Sequence, residues 1–264
     1  MELKSDQKVL GGIGGDGYVK NAISVIIPCY NYGKYLGEAI ESVIAQTRKP
    51  IEIIVMDDAS TDNTSEVVKS FPVRYVRNPL NLGASENFNL GIRLARGEYI
   101  LHLDADDRLH PEFLTKTASI LDTHPTVAIA YTHLTLFGPF AKDIYDTMPE
   151  RKMGFDNGSY RWRVREFDRQ HLLKRGNYIF SASLFRKSAF EEAGGYPDLS
   201  HREDYEFWRN IIKLGWEAKL VPEYLVDYRQ HSLSQRNIAG KSSFRKYTRI
   251  IFKNLIYRLG FNRY

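Results

Sequence analysis

The run Gly97-Glu98-Tyr99-Ile100-Leu101-His102-Leu103-Asp104-Ala105-Asp106-Asp107 decides how the rest of the chain is read. Ile100-Leu101-His102-Leu103 is short and mostly apolar, and it stops abruptly in three carboxylates. A parallel strand covered on both faces reads as a near-continuous apolar run, and ligands gather at the carboxyl ends of such strands. Residues two apart share a side while the chain stays extended, so Asp104 and Asp106 point the same way. Two like charges that close are costly unless a cation lies between them, and hard oxygen ligands suit magnesium or manganese. A second account stands beside this one: a solvated acidic turn ahead of a helix opened by Pro111, before Glu112-Phe113-Leu114.

The residues upstream supply a frame for that strand. Ile23-Ser24-Val25-Ile26-Ile27 is a β-branched buried strand, stopped by Pro28, with Pro28-Cys29-Tyr30-Asn31-Tyr32-Gly33 as the loop at its carboxyl end. Leu36, Ile40, Val43 and Ile44 make one stripe of a helix that Arg48, Lys49 and Pro50 close. Ile51 to Met56 is the next strand and runs into Asp57-Asp58-Ala59-Ser60-Thr61-Asp62, whose Ser-Thr-Asp cluster caps a helix carrying Val67 and Val68. Strand, helix and strand of these lengths form a right-handed βαβ unit. Val73 to Val76 is a third strand, Asn78 to Gly83 is turn chemistry, and a helix from Ser85 to Ala95 leads into the acidic strand. The strand ends at Pro28/Tyr30, Asp57/Asp58 and Asp104/Asp106 therefore line one rim, the nucleotide-binding crevice of an open α/β sheet.

Downstream, Val127 to Tyr131 is a strand, and a loop-rich stretch follows over 138–160 with Pro139, Pro149, Gly154 and Gly158. Ile179 to Phe185 is another strand, and Phe190 through Pro197 ends a short helix. In Leu199-Ser200-His201-Arg202-Glu203-Asp204 the pair Ser200 and Glu203 matches a capping box, with Tyr205, Trp208, Ile211 and Ile212 as the apolar stripe and Gly215 as the stop. Asp204 is not needed for that cap. A carboxylate at a helix N-terminus stays ionised, as a general base requires.

Composition narrows the classes. The 264 residues suit one large domain, and 43% hydrophobic content is ample for a core. No run of eighteen apolar residues predicts a membrane span, and the first 22 residues lack the apolar block of a signal peptide. A lone cysteine, Cys29, fits a reducing cytoplasm. The net charge of +5 is uneven: the last 24 residues, from Lys241, hold seven Lys or Arg and no acid, leaving the body slightly acidic. The basic balance thus describes a tail, and no nucleic-acid partner is expected. The glycines from Gly11 to Gly17 follow no strand and lack the Lys-Ser/Thr pair of a phosphate loop, so 1–21 reads as a flexible leader.

Four stretches in order, Ser24-Val25-Ile26-Ile27-Pro28-Cys29-Tyr30-Asn31, Asp57 to Thr64, Asn81-Leu82-Gly83 and Asp104-Ala105-Asp106-Asp107, resemble the donor half of a family 2 glycosyltransferase. The resemblance covers roughly 22–235. It implies the GT-A fold, a single α/β domain with a mixed, mostly parallel central sheet and helices on both faces. Residues 22–110 would bind the nucleotide sugar and 111–235 would build the acceptor side. It also implies a nucleotide-sugar donor, usually a UDP-sugar, a divalent metal (Mn2+ or Mg2+), and inversion at the anomeric carbon. Carried over by residue, Pro28, Tyr30 and Asp58 surround the nucleoside, Tyr30 stacking on the base and Asp58 accepting from it. Asn81 and Ser85 lie beneath nucleoside and ribose. Asp104 approaches ribose and metal, Asp106 is the direct metal ligand, and Asp107 extends the minimal Asp-X-Asp. Glu203-Asp204 resembles the motif that supplies the base, Asp204. His231, after Tyr228-Arg229, approaches the diphosphate or the metal. Read without the resemblance, Asp58 is a helix-capping acid beside Ser60, Asp57 is structural, and His231 is a satisfied core or surface histidine.

The implied reaction is metal-assisted sugar transfer to an acceptor hydroxyl on a growing glycan or glycolipid. A sugar nucleotidylyltransferase would want a glycine-rich, basic loop after the first strand, which Pro28-Cys29-Tyr30 is not; a non-catalytic nucleotide-binding module is the other alternative. In 236–264, Phe244, Tyr247, Ile251 and Leu255 recur at helical spacing with Arg245, Lys246, Arg249 and Lys253 largely on other faces. That is a basic amphipathic tail, able to lie on an anionic membrane at its inner face or to pack back on the domain.

Overall fold

The computed structural model describes residues 17–146, 152–156, 159–199 and 202–231. Most of the expected leader and all of the basic tail lie outside them. The first strand, β1 (Val19–Cys29), starts inside the stretch assigned to the leader. It is followed by α1 (Gly33–Ile44), β2 (Glu52–Asp57), α2 (Thr64–Val68), β3 (Arg74–Arg77), α3 (Ala84–Leu94) and β4 (Gly97–His102). β1 pairs in parallel with β2 on one side and β4 on the other, and β2 pairs in parallel with β3. Ile23, Val25, Ile26 and Ile27 are all buried, as a strand covered on both faces requires.

β1 runs through Pro28 instead of stopping there. Ile26 O accepts from Leu103 N on the β4 side, while Cys29 O accepts from Asp58 N on the β2 side. Backbone groups alternate sides along a strand, so the N–H that Pro28 lacks would face β4. The ladder there ends at His102, so nothing is lost.

The second half adds β5 (Arg108–Leu109), α4 (Phe113–Thr123), β6 (Val127–Phe137), α5 (Ala141–Asp146), β7 (Lys152–Asp156), β8 (Ser159–Trp162), α6 (Arg169–Lys174), β9 (Leu184–Arg186), α7 (Lys187–Ala193), α8 (Glu203–Lys213) and β10 (Glu217–Arg229). The sheet order is β3-β2-β1-β4-β9-β6-β10-β5, with β8 on β6 and β7 on β8. β9 is antiparallel to both β4 and β6, so the short strand reverses the sheet between two parallel groups. The long ladder of β6 with β10 is parallel again. This is the mixed, mostly parallel α/β sheet expected. The stretch 138–160 holds more order than loop chemistry suggested: α5, then a β7–β8 hairpin added to β6. Gly154 lies within β7, while Pro149 and Gly158 lie outside the described residues.

Buried side-chain amides join the helices to neighbouring segments. Gln46, at the end of α1, donates to His110 O and accepts from Leu114 N, joining α1 to the start of α4. Pro111 stands just before that helix, whose N-cap is Glu112. Asn89 of α3 donates to Tyr196 O and accepts from Tyr196 N, joining α3 to the loop that precedes α8. Among the described residues no helix is long and apolar enough to cross a membrane.

Candidate functional site

At the carboxyl end of β1 the chain turns through Asn31 in a left-handed conformation (φ 59°). Asn31 N donates to Ser60 Oγ and its side-chain oxygen accepts from Thr61 N, while Gly33 N donates to Asp62. These bonds tie the two rim loops together. They leave the Tyr30 ring 46% exposed beside Pro28, an open aromatic face at the strand end.

The neighbouring acids of β2 divide their work. Asp57 is buried and accepts from Tyr75 Oη, Arg77 Nη1 and Ser60 N. Burial pushes its carboxyl up, but those hydrogen bonds and the Arg77 charge outweigh it and hold it below the ordinary range. Asp57 is structural, as read from the sequence. Asp58 is not the acid beside Ser60, since Ser60 N goes to Asp57. Instead Asp58 accepts from Asn78 Nδ2 at 2.9 Å, Leu82 N at 2.8 Å and Gly83 N at 2.9 Å, anchoring the turn that carries Asn81. Asn81 is exposed and its oxygen also accepts from Gly83 N; Ser85 is buried in the first turn of α3.

Beyond β4 the strand does not stay extended to carry its acids on one side. It ends at His102, and Asp107 N donates to Asp104 O, closing a turn. Each acid therefore finds its own partners. Asp104, with its side chain 37% exposed, is held by His102 Nε2 at 3.1 Å on Oδ1 and by Ser181 Oγ at 2.8 Å on Oδ2. Burial raises its carboxyl, but the His102 charge and the two hydrogen bonds outweigh burial and hold it below the ordinary range. Asp106 Oδ2 lies 2.9 Å from His231 Nε2. Burial and the Asp104 charge push Asp106 up despite His231. Asp107, fully interior, accepts from Arg229 N at 2.8 Å, and burial with the neighbouring acids drives its carboxyl well above the usual range.

His231 sits against the Tyr35 and Tyr32 rings, at 4.4 and 5.7 Å between centroids. Arg229, overlooked in the sequence, braces this corner. Its Nε donates to Asp106 O, its Nη2 to Glu38, and its guanidinium lies over Tyr35 and Phe137. The signal was present in the spacing, two residues before the histidine.

The acid pair of α8 reaches the same region from the other half of the chain. The N-cap is Arg202, with no side-chain cap, so Glu203 is the first helical residue and not the third that the expected capping box requires; Ser200 lies outside the described residues. Glu203 Oε2 is buried with no hydrogen-bond partner among the described residues. Asp204 does not stay ionised simply because it starts a helix. Burial pushes it up to about 7, with Asp104 and Glu203 adding to the rise and His102 opposing it. Tyr196, stacked on Phe207 at 3.9 Å, has a hydroxyl driven well above the usual range by burial and then by Asp204, Asp104 and Glu203. His102, Tyr196, Asp104, Glu203 and Asp204 thus share one electrostatic environment at the carboxyl edge of the sheet. His102, Ser181 and Tyr196 had no motif to announce them.

The donor set suits a hard divalent cation in kind: Asp106 and His231 meet, and the repulsion between Asp104 and Asp106 is the sort a cation relieves. Among the described residues no three acids, histidines or cysteines converge at ligand geometry. Asp106 and His231 are brought together, whereas Asp104 is turned toward His102 and Ser181.

A family model described as glycosyl transferase family 2 matches residues 24–194. An uncharacterized glycosyltransferase of Haemophilus influenzae is 27% identical over 254 residues, covering 90% of this chain and 74% of the relative. The crystal structure of S. aureus TarS 1–349 in complex with UDP-GlcNAc superposes with a TM-score of 0.63 at 18% identity, over 89% of this chain and 66% of that one. The mannosyltransferase PcManGT from Pyrobaculum calidifontis, in complex with GDP-Man and Mn2+, gives 0.58 at 21% identity, over 86% and 64%. The two structural likenesses show the fold.

Proposed function

This chain belongs to glycosyl transferase family 2, and from that premise we propose that it transfers a sugar from a nucleotide-diphosphate donor, a UDP-sugar, to an acceptor hydroxyl with inversion. The observation that carries the reading is the meeting of two acid groups from distant parts of the chain. Asp104 and Asp106 follow β4, and Glu203 and Asp204 open α8 with Asp204 raised to about 7. A general base works best with a pKa near the operating pH. Asp204 takes the acceptor proton as that oxygen attacks the anomeric carbon. The bond from that carbon to the diphosphate breaks, and its electron pair leaves with the diphosphate.

Tyr30 offers its exposed ring to the base, with Pro28 beside it. Asp58 has about one lone-pair direction left for a base N–H after its three protein donors. Asn81 and Ser85, on the turn Asp58 anchors, lie next along the rim toward the ribose. Asp106 and His231, with Asp104 nearby, would hold Mn2+ or Mg2+; when bound, the cation supplies positive charge against the departing diphosphate. The acceptor is a hydroxyl of a growing glycan or glycolipid. The enzyme is cytoplasmic, with 241–264 as a peripheral contact to anionic membrane.

The test is product analysis by mass spectrometry with a panel of UDP-, GDP- and dTDP-sugars, Mn2+ and hydroxyl acceptors. Sugar transfer from a UDP-sugar by the wild type, lost in Asp204→Asn, is the expected result. Nucleotidyl transfer, or activity unchanged in Asp204→Asn, overturns the reading.

A further inference from the structure

His102 closes β4 between Leu101 and Leu103 and is 8% exposed, a place where an apolar side chain would pack without polar cost. Its ring is stacked on Phe88 at 3.8 Å and 29°, and meets Tyr196 edge-on at 6.1 Å, so its plane is set by packing. Nε2 lies 3.1 Å from Asp104 Oδ1, and because an ionised carboxylate only accepts, Nε2 carries the proton. Nδ1 is buried with no partner among the described residues, so the buried polar ring makes one hydrogen bond, and that bond goes to Asp104. Across the carboxylate, Ser181 donates to Oδ2 from 77 residues away. One donor on each oxygen stops a half-exposed side chain on a turn from rotating, and each oxygen keeps a second lone pair for a ligand.

We propose that His102, together with Ser181, is a positioning residue that fixes the Asp104 carboxylate in the orientation that receives the nucleotide donor. The inference rests on the reading of Asp104 as a donor-side acid. Partners of this kind orient groups that bind metal or ligand, and their loss typically costs about 10–100-fold in affinity or activity. The effect belongs to donor binding, so KM for the donor rises more than kcat falls.

The experiment is calorimetric titration of UDP with Mn2+ into the full chain, alongside donor kinetics and thermal melting. His102→Phe keeps the ring stack on Phe88 and Tyr196 but removes the donor. It should melt near the wild type and bind Mn2+–UDP about 10–100-fold more weakly. His102→Gln, whose amide nitrogen reaches about as far as Nε2, should recover most of the affinity, and Ser181→Ala should lose less than His102→Phe. A folded His102→Phe with wild-type affinity overturns the proposal, as does failure of His102→Gln to exceed it. Should His102→Phe not fold, His102→Asn, whose shorter amide cannot reach Asp104, carries the same test, and wild-type affinity there overturns the proposal. Asp104→Asn separates the two readings: if it alone weakens binding, the role of Asp104 stands and that of His102 falls. If it binds as the wild type, the donor-side reading of Asp104 falls and takes the proposal with it.

Discussion

Burial pushes the Asp204 carboxyl from 3.8 up to about 7, which gives the proposed base role and the fold a pH dependence each. The base form is the ionised one, so the transfer rate should rise with pH between about 6 and 8 and flatten above. A pH–rate profile that stays flat down to pH 5 would remove Asp204 as the base. Asp204→Asn, nearly isosteric, should keep donor binding and lose turnover by about 10²–10⁴-fold, while Glu203→Gln costs much less; the reverse ranking would exchange the two roles. The same acid bears on folding. Between pH 3.8 and about 7 the folded chain keeps a proton that the unfolded chain has lost, so this group weakens the fold as pH rises through that window. Asp204→Asn should therefore melt higher than the wild type at pH 8 and equally near pH 3.5. Asp106→Ala removes one half of the Asp106–His231 pair at a rim position. The variant should still fold, at a modest cost in melting temperature because the pair is largely buried, and should lose the gain in UDP affinity that Mn2+ confers; an unchanged gain in the folded variant discards Asp106 as a ligand.

Two elements depend on the contacts of a single residue each. The turn from Asn78 to Gly83 hangs on Asp58, whose carboxylate takes a side-chain amide and two backbone N–H groups. Hydrogen bonds to a charged group are worth about 1.5–3 kcal/mol each, and unsatisfied buried donors cost about 1–3 kcal/mol. Asp58→Ala should thus destabilise by about 3 kcal/mol or more in urea unfolding and weaken UDP binding through loss of the turn. Gly97 starts β4 where a Cβ would stand 2.6 Å from Ser24 N and 2.8 Å from Ala22 O. Both are backbone atoms that cannot swing aside, so Gly97→Ala forces β1 and β4 apart. Overpacking of this kind costs about 1–3 kcal/mol, and a urea midpoint equal to that of the wild type would contradict the close approach. Asp58 was legible as important from its place at a strand end. That it serves the turn 20 to 25 residues on was not, because the bonding is between segments.

At the scale of the molecule, the basic tail poses a test of location. Several Lys or Arg near an anionic surface contribute about 1 kcal/mol each, enough together for reversible attachment. The full chain should sediment with anionic liposomes at low salt and be released by salt, and the chain lacking 241–264 should not sediment; equal behaviour of the two would remove the tail as an anchor. The α/β class, the parallel first half and the rim of acids were readable because apolar runs, turn residues and strand-end carboxylates act over a few neighbours. The run from Ile23 to Ile27 must be buried whatever it packs against, and the acids from Asp104 to Asp107 mark where that apolar run stops, although Asp107 itself turns back into the interior. Four motifs in order also carried the resemblance to glycosyl transferase family 2, which the family model over residues 24–194 bears out. Only the tertiary structure decided that β9 reverses the sheet between β4 and β6, because its partners are remote and its own residues carry no direction. It likewise decided that Ser181 and His102 share Asp104, and that Asp204 lies near 7 instead of fully ionised. Hydrogen-bond partners and desolvation depend on which distant side chains fold over a group, and no local pattern records that.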